Sequence, residues 1–379
     1  MKLALHVAEF PARVGDLENP YRSLFDDALS TRFELTYSTF EPNAAWAHEH
    51  GRQLTLVHIH WPEGLWRDPY ADHAAEARAV TALDDALTIC HALGARVVWT
   101  VHNHVHHDGV SDADRAGYAT LARHAQMVVC HSDWSARYVR STYGSRVPVV
   151  VMPIGSFGAV HPAGRPREQV VRELGLDAAR PVAVCAGQLR GYKGLDTAID
   201  GCLAGAGVWQ LAIVGRPGPF FDPDDLRRRV AARPDVVAIT EHVSNDRFGE
   251  LLAAADVVLL PYEGITGSSV PPAAWAVGTP VVASRLPYFE ELLAGRPYLG
   301  RLFEPGDPAG LAAAVAEVLS WPSSPVAAAT SVAASDVAWN TITKPIVRRY
   351  TWWAVTRPVH RQLLRAGRVA RRLAHRTKA

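Results

Sequence analysis

Val182-Ala-Val-Cys-Ala-Gly187-Gln-Leu-Arg190-Gly-Tyr-Lys193-Gly194-Leu195 is the stretch that decides the fold. Its first five residues are apolar without alternation, the pattern of a strand buried on both faces and therefore of a parallel sheet. Three glycines follow, then an apolar run with helical spacing. Glycine lets backbone approach a ligand closely, and a helix start presents unpaired N–H groups at the positive end of its dipole. Arg190 and Lys193 add two full charges. Such a loop suits a diphosphate, although solvent-exposed cations on an ordinary loop would look similar. The G-x-x-x-x-G-K-[ST] spacing of a P-loop is absent.

The same rhythm of strand, loop and helix extends in both directions. Strands are expected at 2–7, 33–37, 54–60, 96–101, 127–131 and 147–152, then at 182–186, 210–214, 236–239, 257–261 and 280–283. Helices are expected at 21–29, 72–93, 111–124 and 132–143, then at 195–203, 224–232, 246–255 and 269–277. Alternation of this kind gives an α/β protein with two doubly wound, Rossmann-like parallel sheets, and 379 residues suffice for two domains. The Gly/Pro-rich segment 155–167 reads as the linker. The expected division is 1–158, 165–322 and a helical C-terminal part, 323–379, returning to the first domain.

Ligands of open α/β sheets bind beyond the carboxyl ends of the strands, and chemistry-bearing residues gather there. Pro261-Tyr-Glu263-Gly-Ile-Thr266-Gly267-Ser268-Ser269 ends one strand, and its hydroxyls can cap a helix or donate to phosphate oxygens. In the first half, Asn19-Pro20-Tyr21, His58-Ile-His60-Trp61-Pro62-Glu63 and Trp99-Thr-Val-His102-Asn103-His104-Val-His106-His107-Asp108 all follow strands. Aromatic rings and polar groups gathered in this way suit sugars, which present apolar faces and hydroxyls.

The segment 182–284 resembles the donor-binding domain of GT-B glycosyltransferases, above all the large retaining family 4 and its mannosyltransferase-like and exopolysaccharide relatives. In that family the G-x-x-x-x-x-K-G loop supplies an Arg and a Lys to the donor diphosphate, positions matched here by Arg190 and Lys193. The "GTPVVAS" strand stands at 278–284, and the first-half segments are similar to the "NPY", "HIHWPE" and "WTVHN…HD" segments of those relatives. The resemblance implies two facing domains about a cleft. The nucleotide-sugar donor would lie on Gly187, Arg190, Lys193, Glu263, Thr266, Gly267, Ser268 and Ser269. A sugar or lipid-linked acceptor would lie on Asn19, Tyr21, His60, Trp61 and Asn103. One departure concerns the Glu-x7-Glu motif: its second Glu falls at Ala273, and Glu263 is the nearest carboxylate to the first. Stereochemistry is therefore left open. An inverting enzyme needs a general base, for which His102, Asp108 and Glu63 are candidates.

The implied reaction moves a sugar from a nucleoside diphosphate to an acceptor hydroxyl, in polysaccharide, glycolipid or glycoconjugate synthesis. A non-catalytic sugar- or nucleotide-binding protein of the same fold is the alternative. A dinucleotide enzyme is disfavoured, because Ala8-Glu9-Phe10 stands where G-x-G-x-x-G would follow the first strand. No resident cofactor is expected. No metal is expected either, since the histidines lack zinc-site spacing. Cys90, Cys130, Cys185 and Cys202 read as free thiols of a reducing compartment. The short apolar N-terminus is not a signal peptide, and no run is long enough to span a membrane.

Net charge is +1, yet eleven basic residues and no acidic ones lie between 344 and 379. The rest of the chain then holds twenty-eight basic against thirty-eight acidic residues, a net −10. An acidic body with a basic tail argues against nucleic acid as the partner and for an anionic membrane surface. Tyr350, Trp352 and Trp353 would serve as interfacial aromatics. The expected place is the cytoplasm, peripheral at the inner face of the membrane.

Overall fold

The computed structural model describes residues 2–11, 20–68, 70, 72–104, 110–162 and 164–356. Asn19, Asp108 and most of the basic tail lie outside the described residues. The chain divides into two units, one built on Arg22–Pro153 and the other on Ile154–Ile342. The first strand and residues 343–356 join the first unit.

The first unit holds β1 (Leu3–Phe10), β2 (Phe33–Thr39), β3 (Leu56–Ile59), β4 (Arg96–Val101), β5 (Met127–Cys130) and β6 (Val149–Val151). The second holds β7 (Val182–Ala186), β8 (Gln210–Val214), β9 (Val236–Ile239), β10 (Val257–Leu260), β11 (Val281–Ser284) and β12 (Gly300–Phe303). Among the described residues these form two six-stranded sheets, of order β2-β1-β3-β4-β5-β6 and β12-β11-β10-β7-β8-β9. Every pairing is parallel. The continuous apolar runs explain this: β3, β5, β7, β8, β10 and β11 are buried at every position, as helices on both faces of a sheet require.

Connecting helices start where short polar side chains can cap them. Asn43, Asp72, Ser111, Ser132, Asp222, Ser244 and Asp307 each accept a backbone N–H of the first turn. Ser111 and Asp114 form a reciprocal capping box.

Three expectations need correction. The sequence reading gave eleven strands and omitted β12. It also omitted the helices Ala44–His50, Arg167–Glu173, Pro287–Leu293 and Pro308–Leu319. Segment 155–167, read as a linker, packs within the second unit: Ser156 N–H donates to the Val337 carbonyl (2.9 Å) and Phe157 is buried. Lastly, Tyr350 and Trp353 are buried within the first unit, Tyr350 with its hydroxyl 3.3 Å from His58 Nδ1, so neither is available as a membrane anchor. Trp352 alone of the three is exposed.

Candidate functional site

Strand order locates the binding crevices before any side chain is considered. The winding reverses between β1 and β3 in the first sheet and between β7 and β10 in the second. Such switch points are where open α/β sheets bind ligands.

In the second unit the loops flanking the switch point are 187–194, after β7, and 261–269, after β10. Gly187 turns the chain at φ 109°, and a Cβ there would meet only Lys193 Nζ, at 3.9 Å. Gly194 has φ 60°, and any Cβ would collide with the Pro261 carbonyl oxygen. The two loops touch through backbone at that point. Glu263 N–H also donates to the Tyr192 carbonyl at 2.8 Å. A third tie runs through side chains: Lys193 Nζ donates to Tyr262 Oη at 2.5 Å and stands 4.0 Å from the centroid of that ring. Burial brings the Lys193 ammonium down to about 7. Arg190 is half-buried and donates through Nε to Gln188 Oε1 (3.0 Å).

The hydroxyl loop differs in detail from the capping expected of it. Ser269 occupies the N-cap of Val270–Ala276 without a side-chain cap bond. Ser268 Oγ accepts from Val270 N–H instead, at 3.3 Å. Pro271 and Pro272 remove two donors from the first turn, so this helix end offers an anion fewer N–H groups than the sequence reading assumed. Glu263 and Gly264 are exposed, and Thr266 and Gly267 are half-buried. Ala273, at the missing second Glu, is buried.

In the first unit the switch point holds a ladder of imidazoles. His58 Nε2 pairs with Thr100 Oγ1 at 2.8 Å and His60 Nδ1 with His102 Nε2 at 3.0 Å. His131 Nδ1–H donates to the Met152 carbonyl at 2.9 Å. Burial pushes His58 down to about 3 and His131 to about 4, and holds His60 and His102 well below the usual histidine range. All four rings are thus neutral at pH 7. Trp61 adopts a left-handed backbone (φ 34°) and stacks on His102 at 4.0 Å and 12°. A tryptophan held in that region is strained, and strain of this kind concentrates at functional sites.

The remaining acceptor-side candidates diverge. His102 and Asn103 are half-buried beside Trp61, whereas His60 is buried. Tyr21 is buried edge-on to Trp339 with ring centroids 5.2 Å apart. Glu63 is buried and accepts from Tyr118 Oη at 2.5 Å.

Sequence reasoning missed two features. Arg22 forms a buried ion pair with Glu9 (2.6 Å) and donates to the Pro11 carbonyl at 2.8 Å, directly after β1. Only the charge of Glu9 at a strand end hinted at it. Glu9, His58 and His60 also bring one ligand atom each within 4.8 Å of one another, a cation-sized grouping that residue spacing could not reveal because Glu9 comes from another strand. Arg22 already neutralises Glu9, and both ring nitrogens of His58 are engaged.

Comparison with known proteins bears on the second unit above all. Residues 180–320 match the profile of the family described as Glycosyl transferases group 1. The chain is 28% identical over 241 residues to the 2-deoxystreptamine N-acetyl-D-glucosaminyltransferase of Streptomyces fradiae, covering 60% of this chain and 53% of that one. It thus spans about half the length of that curated relative. Among solved structures, sucrose-phosphate synthase from Thermosynechococcus elongatus is similar at TM-score 0.72 and 15% identity, over 93% of this chain and 99% of that one. Anabaena HepE in complex with UDP and glucose gives TM-score 0.70 and 17% identity, over 92% and 99%. Residues 180–320 are therefore similar to group 1 glycosyl transferases, and each unit has the Rossmann-like architecture of a half of the GT-B fold.

Proposed function

We propose that the chain is a glycosyltransferase that moves a sugar from a nucleoside diphosphate sugar to an acceptor hydroxyl. One observation carries the reading: a lysine and an arginine stand on the loop at the switch point of the second sheet, tied to the hydroxyl-rich loop across it. The donor diphosphate lies against Arg190, Lys193 and the glycine backbone, with Thr266, Ser268 and Ser269 opposite. Charge that develops on the leaving diphosphate is met by cations already in place, so the reaction proceeds without a bound metal. HepE binds UDP and glucose, which makes UDP-sugars the first donors to try.

The first unit takes the acceptor. Trp61 offers a ring to the apolar face of a sugar, and His102 and Asn103 offer polar groups. Where acceptor deprotonation is needed, His102 is the base we propose: burial keeps its imidazole neutral, at the cost of making it a weaker base. The acceptor belongs to polysaccharide, glycolipid or glycoconjugate synthesis, with the protein peripheral at the cytoplasmic face through its basic tail. Replacing Arg365, Arg368, Arg371 and Arg372 with Gln should then weaken binding to anionic vesicles; unchanged binding would remove the membrane from this reading.

The deciding experiment is a panel of UDP-, GDP- and ADP-sugars, scored for thermal stabilisation and for release of nucleoside diphosphate, with and without chelator. Turnover that survives chelation supports the proposal, and turnover restored only by a divalent ion overturns its metal-free part. Ala273, where family 4 carries Glu, favours one second reading, a binding protein without catalysis. That reading predicts stabilisation by a nucleotide sugar and no turnover with any acceptor.

A further inference from the structure

The Tyr262 side chain looks like ordinary core from the sequence, an aromatic residue following an apolar strand. Its position says otherwise. The ring is buried and wedged edge-on to Tyr192 (6.0 Å, 89°) and tilted against Phe289 (5.7 Å). Its hydroxyl lies on the line between the two loops of the candidate donor site. On one side it accepts from Lys193 Nζ at 2.5 Å. On the other, Tyr262 belongs to the loop that carries Ser268, whose Oγ accepts from Val270 N–H at 3.3 Å. A single phenol therefore connects the cation loop after β7 with the hydroxyl loop after β10.

We propose that Tyr262 is a positioning residue that seats Lys193 for the donor diphosphate, and that occupation of this site is coupled to protonation of Lys193. This rests on the donor-site reading above and deepens it. The seat is an aromatic one, with Nζ 4.0 Å from the Tyr262 centroid and 5.7 Å from that of Tyr192. Lys193 is half-buried there, with Tyr262 Oη as its side-chain acceptor and aromatic rings about it. Burial is the largest influence and brings Lys193 down to about 7; Arg190 on the same loop acts in the same direction. The Cys185 thiol faces it from β7, but burial pushes that thiol up to about 12, so it stays uncharged and offers no counter-ion at neutral pH. Tyr262 itself is held well above its ordinary range by burial and remains a phenol. An arriving diphosphate supplies the missing negative charge. The lysine then takes one proton from solvent, and the ammonium, with three N–H donors, keeps the phenol oxygen and adds a phosphate oxygen. Charge balance across the step is one proton gained by the complex.

The sign follows directly. Below about pH 7 Lys193 already carries its proton, and binding takes up little. Above it the proton must be acquired, so affinity falls by about tenfold for each further pH unit. Isothermal titration of the full chain with UDP at pH 6, 7, 8 and 9, in buffers of differing ionisation enthalpy, reads both quantities. The parent should take up close to one proton at pH 8 and little at pH 6. Lys193→Met should bind UDP more weakly and abolish the uptake. Tyr262→Phe keeps the ring and removes the oxygen; it should weaken UDP binding about tenfold, as loss of a hydrogen bond to a charged group does, and move the midpoint of the pH profile down. If Tyr262→Phe melts well below the parent, parent against Lys193→Met still decides the coupling. Uptake absent in the parent, or identical affinity and profile in Tyr262→Phe, overturns the proposal while leaving the donor site intact. Failure of the parent to bind UDP, GDP or ADP at all would instead sink the donor-site reading.

Discussion

Arg190 and Lys193 are the residues on which function turns. In the proposed donor site each would face a diphosphate that gains charge as the sugar leaves, and removal of one preorganised donor of this kind typically lowers kcat by about 10²–10³. Arg190→Ala and Lys193→Ala should show losses of that size in initial rate with melting temperatures near the parent's, and near-normal rates in both would refute the clamp. These two stood out in the sequence as full charges on a glycine loop after an apolar strand, and the structure sets that loop at the switch point of the second sheet. Tyr262 did not, since an aromatic at the end of a buried strand reads as packing, and only the position of its hydroxyl reveals more. The left-handed Trp61 was equally hidden: nothing in His60-Trp61-Pro62 announces a positive φ. Glu9 was visible as a charge but not as half of a pair, because Arg22 lies thirteen residues on and reaches it only through the fold.

Elements meet at two joints whose failure should be measurable. Gly194 begins the helix Leu195–Ala204 in a left-handed conformation with the Pro261 carbonyl against it. Alanine there adds the left-handed penalty of roughly 1–2 kcal/mol to a backbone collision. Gly194→Ala should therefore destabilise the second unit by more than about 2 kcal/mol in urea titrations and weaken UDP binding with it. The second joint is Asp114, fully buried at the start of Asp112–His124. It accepts from Trp66 Nε1 (2.9 Å) and Arg67 Nε (2.8 Å), and so fixes the turn Pro62–Leu65 beneath the Trp61 site. Burial alone would raise this carboxyl; the bonds from Arg67, Trp66 and the Ser111 backbone overrule it and hold it below the usual carboxylate range. Asp114→Asn should cost about 3 kcal/mol, the scale for breaking a buried ion pair, and an unchanged denaturation midpoint would contradict this. At this scale the sequence was read well where runs were long and apolar. It was read poorly at β12, where Gly300-Arg-Leu-Phe303 is short, carries a charge and forms a sheet edge. The alanine-rich helix Pro308–Leu319 escaped because its small side chains give little contrast between faces.

For the whole molecule, pH separates the two units. His58, His60, His102, His104 and His131 belong to the first unit, and burial lowers all five, His104 to about 4. Unfolded, each titrates near the ordinary histidine value of about 6.5. Between that value and the lowered folded ones, the unfolded chain binds more protons, so stability rises with pH across the window and falls as acid is added. From pH 6.5 to 5.5 each such group withdraws about 1 kcal/mol. Five together approach the whole stability of a typical domain, about 5–15 kcal/mol. Urea titrations at pH 7.5, 6.5 and 5.5 should show the first unit losing its transition midpoint steeply while the second, where burial lowers His161, loses less. Equal shifts in both would mean that the imidazoles are charged in the native state.

The last described helix has a consequence for how the protein is made. Ile346, Tyr350 and Trp353 are buried in the first unit, with Tyr350 against Phe33 and His58. The second unit, by contrast, is built on Ile154–Ile342 with a short piece of the early chain about Tyr21, all of it synthesised before residue 343. On a translating ribosome the chain emerges from its amino end, and domains close as their residues become available. The second unit can close as soon as its own stretch is out. The first, begun earliest, keeps the wall beside His58 open until residues 346–353 have cleared the exit tunnel. The half of the protein synthesised first is thus the half finished last, and a nascent chain arrested before residue 346 would carry a closed second unit and an incomplete first one.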